Sequence, residues 1–238
     1  MSITRTNVSL PQGVSLHRVA QVLRDAWEAG SHQWKDSPLQ LREGANASPP
    51  PPVPHDAPEL FRALDRHRVQ YLLVGGMAML TYVQGRNTKD VDLLMSVAAM
   101  KQIPELEVLE QKDCFVRAHF RSVQVDLLLT SNPLFRIVEE RFATRHHFAE
   151  LEVPATTVEG LIVLKLYALP SLYRQLEMDR VALYENDITM LLARHSPKTE
   201  PLLQLVEQHV EPGDTKELRA ILSECAARAV RLRTRTGV

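Results

Sequence analysis

The apolar run Tyr71-Leu72-Leu73-Val74 stops at Gly75-Gly76, and this junction constrains the chain more than any other stretch. A short apolar run bounded by turn residues reads as a buried strand, and paired glycines give the backbone the freedom for a tight corner. A helix through Met77 to about Tyr82 follows. Val91-Asp92-Leu93-Leu94-Met95 reads as a second strand, and Cys114 to Phe120 with Val123 to Leu129 as two more, joined by a hairpin about Arg121-Ser122. Arg145 to Val153 is a weaker strand candidate. With a helix from Pro58 to Arg68 ahead of them, these elements imply an α+β fold, a small mixed sheet covered by helices on one face.

Past Pro154 the pattern turns helical. Thr156-Thr157-Val158-Glu159 has capping-box spacing, with Glu159 reaching back to the Thr156 amide, and the helix it opens should stop at about Leu169 before Pro170. Further helices are expected at Asp179 to His195, Glu200 to His209 and Thr215 to Arg231. Ahead of the sheet, Leu16, Val19, Val22, Leu23 and Trp27 recur at helical spacing, followed by the proline-rich run Ser48 to Pro54. The expected division is 1–57 as an N-terminal helix and linker, 58–155 as the core, and 156–238 as a C-terminal helical region.

Composition narrows the chemistry. Lys+Arg number 28 against 29 Asp+Glu, a formal charge of −1, so any contact with a polyanion must be local. Two cysteines in unrelated segments argue against a disulfide framework or a zinc site. No apolar run approaches the roughly 18 residues of a membrane span and the N-terminus has no signal pattern, so the expectation is a cytoplasmic protein with no membrane partner.

Asp90 and Asp92 are two apart at the start of a strand, so both carboxylates leave the same face and repel unless a cation lies between them. Asp126 interrupts Val123-Gln124-Val125-Asp126-Leu127-Leu128-Leu129, where a lone charge is expensive. If the two strands are neighbours, Asp126 completes a three-carboxylate site suited to Mg²⁺ or Mn²⁺. Pairing with a buried arginine is the other way to satisfy it. Gly75-Gly76 is either a simple turn or a corner where backbone approaches a phosphate.

Leu73-Val74-Gly75-Gly76-Met77-Ala78, continuing to Arg86-Asn87-Thr88-Lys89-Asp90-Val91-Asp92-Leu93, resembles the signature of minimal bacterial nucleotidyltransferases of the DNA polymerase β superfamily. Within it, the resemblance is to the group containing the AbiEii- and MenT-type toxins, and it spans about residues 60 to 195. It implies a nucleotidyltransferase-fold core followed by a C-terminal helical region. The implied activity moves a nucleoside monophosphate from a nucleoside triphosphate to a hydroxyl. The implied acceptor is an RNA or tRNA end, with a protein hydroxyl as the alternative and a silent nucleotide-binding module as a third reading. A toxin role would bring a cognate antitoxin as partner.

By position, the resemblance gives Gly75 and Gly76 the triphosphate and gives Asp90 and Asp92 the metal. Asp126 would complete the site and assist deprotonation of the acceptor, and Lys165 would face the nucleotide. Lys165 also stands out on its own, because it falls on the apolar side of its helix; the plain alternative is a lysine snorkelling to water. Arg86 and Lys89 bring positive charge between the glycine corner and the acids, and Thr88 either positions a metal ligand or caps a turn. Simpler relatives have a short basic-acidic segment soon after the lysine helix. Here Pro170 to Gln175 intervenes before Arg180 and Asp187, which makes Arg174 and Arg180 candidates for phosphate contact or plain solvated surface. Tyr173 is a candidate to stack on a base or to pack in the core. Arg228, Arg231, Arg233 and Arg235 form either a basic arm for RNA or a solvated end, and His146-His147 either line an acceptor groove or have no role.

Overall fold

The computed structural model describes residues 56–83, 88, 90–148 and 151–236. The N-terminal helix and proline-rich run read from the sequence, with Arg86 and Lys89, lie outside these residues. The described chain begins with helix α1 (Asp56–Arg66), strand β1 (Leu72–Leu73) and the short helix α2 (Gly75–Met79). Strand β2 (Asp90–Met95), helix α3 (Val97–Met100) and strands β3 (Leu106–Lys112), β4 (Phe115–Phe120) and β5 (Val123–Leu129) follow. Helix α4 (Pro133–Arg141) leads to the hairpin β6 (Ala143–Phe148) and β7 (Leu151–Thr156). The chain ends in α5 (Val158–Arg174), α6 (Met178–His195), α7 (Thr199–Glu207) and α8 (Asp214–Thr236). The fold is α+β, a mixed sheet of seven strands ordered β3-β4-β5-β2-β1-β7-β6 with a C-terminal helical region.

Two pairings decide where the chemistry sits. β1 runs antiparallel to β2, with Leu73 opposite Leu93, so the chain leaves β1 for Gly75 beside the residues that open β2. β2 runs parallel to β5 with Asp92 opposite Asp126, which sets the acids of the two strands side by side. Alternation then sorts the faces of this half of the sheet. Val91, Leu93, Val116, Ala118, Phe120, Val125 and Leu127 are buried on one face, leaving Asp90, Asp92, Gln124, Asp126, Arg117 and His119 on the other. One row further along that second face the residues become apolar: Phe115 meets Phe135 of α4 edge-on, and Phe135 meets Tyr167 of α5. The acids therefore stand where helical cover gives out.

Several boundaries differ from the expected ones. α5 continues past Pro170 to Arg174, because buried Leu169 and Leu172 on either side keep its inner face packed despite the lost amide donor. The cap of α5 is shifted by one residue. Thr157, not Thr156, accepts from the Gly160 amide, while Thr156 ends β7 and its hydroxyl donates to the Phe142 carbonyl. The segment read as one weak strand at Arg145 to Val153 is two strands of a hairpin. No helix among the described residues is long and apolar enough to cross a membrane.

Candidate active site

Asp90, Asp92 and Asp126 each offer a carboxylate oxygen such that the three lie within 4.8 Å of one another. All three are partly buried, and each is held by a different neighbour. Asp92 accepts a hydrogen bond from the Gly76 amide at 3.1 Å. Asp90 accepts from the Thr88 hydroxyl at 2.8 Å, and Thr88 is itself buried. Asp126 accepts from the Gln124 amide at 3.3 Å and from the Arg117 guanidinium, with Nε to Oδ1 at 3.1 Å and Nη2 to Oδ2 at 3.4 Å.

The glycine corner is required by the acids. Gly75 has φ of 60°, a left-handed conformation unfavourable for L side chains, and a Cβ there would overlap the Asp92 carboxylate. A Cβ at Gly76 would strike Thr88, the residue that orients Asp90. The two glycines thus let the backbone lie against both members of the acid pair.

The local electrostatics are those of a cation site. Burial, and after it the charge of Asp90, pushes the Asp92 carboxyl up from 3.8 to about 7; the Gly76 amide and Lys165 oppose this and Asp126 adds to it. A trio of hard oxygen donors in mutual repulsion matches the chemistry of Mg²⁺ or Mn²⁺, which take carboxylate and water ligands. Among the described residues this is the one group of acids, histidines and cysteines so arranged.

Around the acids the structure places the other expected residues unevenly. Lys165 does not snorkel. Its side chain is 6% exposed, Nζ lies 2.8 Å from Oδ2 of the buried Asp187 and 4.3 Å from the centre of the Tyr184 ring, and its charge is felt at Asp92. Arg180 is half-exposed, bonded to Glu177 at 3.0 Å and lying 5.9 Å over Tyr184, close enough for its charge to be felt at Arg117. Arg174 is engaged instead with Asp214 of α8 at 2.9 Å. The Tyr173 hydroxyl donates to Glu185 at 2.6 Å. Buried His146 meets the Tyr82 hydroxyl at 2.8 Å. In the C-terminal arginine series, Arg228 pairs with Glu185 and Arg233 with the Ser196 hydroxyl.

Sequence reasoning missed Arg117, Gln124 and the Asp187 partner of Lys165. For Arg117 a signal existed: a two-residue turn at Arg121-Ser122 sets Phe120 opposite Val123, and hence Arg117 opposite Asp126. Asp187 stood out only as the acid that follows Arg180 after the inserted segment, and its bond to Lys165 had no signal, since it joins two helices.

No protein-family model matches the sequence, and no curated protein matches it. Solved structures do resemble it. An antigenic nucleotidyltransferase-like protein from Paracoccidioides brasiliensis aligns with a TM-score of 0.45 at 17% identity, over 69% of this chain and 89% of that chain. The protein ANT(2'')-Ia, solved in complex with adenylyl-2''-tobramycin, aligns with a TM-score of 0.40 at 13% identity, over 69% of this chain and 93% of its own. At such distances the functional reading must come from the site itself.

Proposed function

We propose that this protein is a metal-dependent nucleotidyltransferase that moves a nucleoside monophosphate from a nucleoside triphosphate to a hydroxyl acceptor. The observation that carries this reading is the convergence of Asp90, Asp92 and Asp126 beside a corner with no side chains at Gly75-Gly76. In the reaction a bond forms between the acceptor oxygen and the α-phosphorus, the α–β bridge breaks, and pyrophosphate leaves. The three aspartates would hold Mg²⁺ or Mn²⁺, which when bound neutralises triphosphate charge and makes the acceptor hydroxyl more acidic.

The chain's own contribution is placement. Thr88 and the Gly76 amide hold Asp90 and Asp92 in position, so little reorganisation is needed when substrate arrives. Asp126, whose side chain is 24% exposed, would receive the acceptor's proton. Gly75 and Gly76 let the backbone lie against the acid pair, where they are proposed to meet the triphosphate, and the charge of Lys165 is felt at Asp92. Arg180 is proposed as a phosphate contact, with Arg86 and Arg174 as further candidates from the sequence.

The acceptor we favour is an RNA end such as that of a tRNA, with the protein acting as the toxin of a toxin–antitoxin pair. The motif resemblance to AbiEii- and MenT-type toxins supports this. The test is incubation of the purified protein with Mg²⁺, each α-labelled nucleoside triphosphate, and either total tRNA or cell lysate. Label on RNA from the wild type and not from Asp126→Asn supports the proposal. Label confined to polypeptide would replace RNA with a protein acceptor. Triphosphate binding with no labelled product in any fraction would reduce the chain to a nucleotide-binding module.

A further inference from the structure

Arg117 was not anticipated as part of the site, yet it is the side chain most closely engaged with its third acid. The register of the β4–β5 hairpin sets Arg117 opposite Asp126, so strand pairing places the two side chains next to each other on one face. Nε and Nη2 address the two carboxylate oxygens separately, at 3.1 and 3.4 Å. Gln124 donates to the same two oxygens at 3.3 and 3.4 Å. Both oxygens of Asp126 therefore already accept hydrogen bonds, and a cation would meet the positive charge of Arg117 at that carboxylate.

The pair is built to open. The Arg117 side chain is 49% exposed and that of Asp126 24%, so water screens the attraction and can replace it. Arg180, from α6, lies within the field of Arg117 and opposes its charge, while Glu110 of β3 supports it. Two guanidiniums from separate elements are thus each paired with one acid, Arg117 with Asp126 and Arg180 with Glu177, and each lies within the field of the other. Like charges brought together in this way are relieved by a polyanion.

We propose that Arg117 is the resident counter-cation of the acid cluster: it competes with the divalent metal for Asp126 in the nucleotide-free protein, and once displaced it joins Arg180 on the triphosphate. This rests on the reading of the site as a metal–nucleotide centre. Arg117 is then a positioning residue that keeps three acids compatible when empty and hands one of them over on loading. The arrangement makes metal binding alone weak and metal binding with nucleotide strong.

The experiment uses the full chain as wild type, Arg117→Gln and Arg117→Lys. Mn²⁺ is titrated first alone, by electron paramagnetic resonance of the free ion, and then at fixed excess with the four α,β-methylene nucleoside triphosphates, by calorimetry. Losing a half-exposed ion pair should tighten Mn²⁺ alone roughly three- to tenfold in Arg117→Gln. The same variant should bind the Mn²⁺–triphosphate complex roughly three- to tenfold more weakly, with Arg117→Lys between it and wild type in both titrations. A merely structural residue would move both affinities in one direction. Unchanged or weaker binding of Mn²⁺ alone by Arg117→Gln overturns the counter-cation role, and undiminished triphosphate binding overturns the transfer to nucleotide. If wild type binds none of the triphosphates, the nucleotidyltransferase reading fails, while the Mn²⁺ titration still decides whether Arg117 competes for Asp126.

Discussion

Replacing Asp92 with asparagine should make the metal-free protein more stable while destroying its metal site. Burial and Asp90 raise the Asp92 carboxyl from 3.8 to about 7. A carboxyl that holds its proton more tightly folded than unfolded leaves the folded state binding more protons, so stability falls as pH rises from about 4 to about 7 and is level above. At ~1.36 kcal/mol per pKa unit the displacement corresponds to about 4 kcal/mol at most. Partial exposure of the carboxylate leaves roughly 1–2 kcal/mol after solvent screening. Asparagine keeps an oxygen for the Gly76 amide and gains an N–H that can face Asp90, so geometry is conserved while the repulsion disappears. The assay is urea unfolding in chelator at pH 4.5 and pH 8. The variant should exceed wild type by roughly 1–2 kcal/mol at pH 8 and by much less at pH 4.5. Added Mg²⁺ should close the gap by stabilising wild type alone. A gap independent of pH, or wild type the more stable at pH 8 without metal, would refute the claim that the acids strain one another.

Gly75→Ala forces a side chain into a left-handed position and onto the Asp92 carboxylate, so it should lose at least about 1–2 kcal/mol in urea unfolding and weaken Mn²⁺ binding as well. Lys165→Met strips the buried Asp187 of its ammonium partner and should cost about 3–5 kcal/mol, whereas the double change Lys165→Met with Asp187→Leu should recover most of that loss. A double variant no more stable than the single one would show that Asp187 does not depend on Lys165. Asp126→Asn should fold with near-normal stability, because Asp126 is part-exposed, and yet show no labelled transfer to any acceptor; transfer at the wild-type rate would remove Asp126 from the chemistry.

The acid pair and the need of Asp126 for a partner were legible in local terms, whereas their convergence waited on the β2–β5 register. Asp90 and Asp92 share a face by strand alternation, and a carboxylate amid Val125, Leu127 and Leu128 demands a partner whatever the fold. The glycine corner was legible only together with the acids, since two glycines after an apolar run are as often a simple turn. What escaped notice depended on long-range contacts or on weak patterning. β3 forms the sheet edge, with Glu107 to Lys112 exposed on both faces, so no hydrophobic alternation marks it. It also carries a register shift between Val108 and Glu110. α4 went unread although Asn132 caps it and Pro133 opens it, a pairing typical of helix starts. Pro170 misled in the other direction, because packing of α5 overrode a local helix breaker. Lys165 was singled out correctly as unusual, but its bond to Asp187 is set by the crossing of α5 and α6, which no spacing in one helix reveals.

Mn²⁺ binding to wild type, Asp90→Asn, Asp92→Asn and Asp126→Asn, followed in parallel by electron paramagnetic resonance, addresses the cluster most directly. Convergence of the three carboxylates on one cation predicts saturable binding by wild type that each single substitution abolishes or weakens by at least about tenfold, at the ~1.4 kcal/mol such a loss represents. Equal affinity in all four proteins would mean that the aspartates share a neighbourhood and hold no metal.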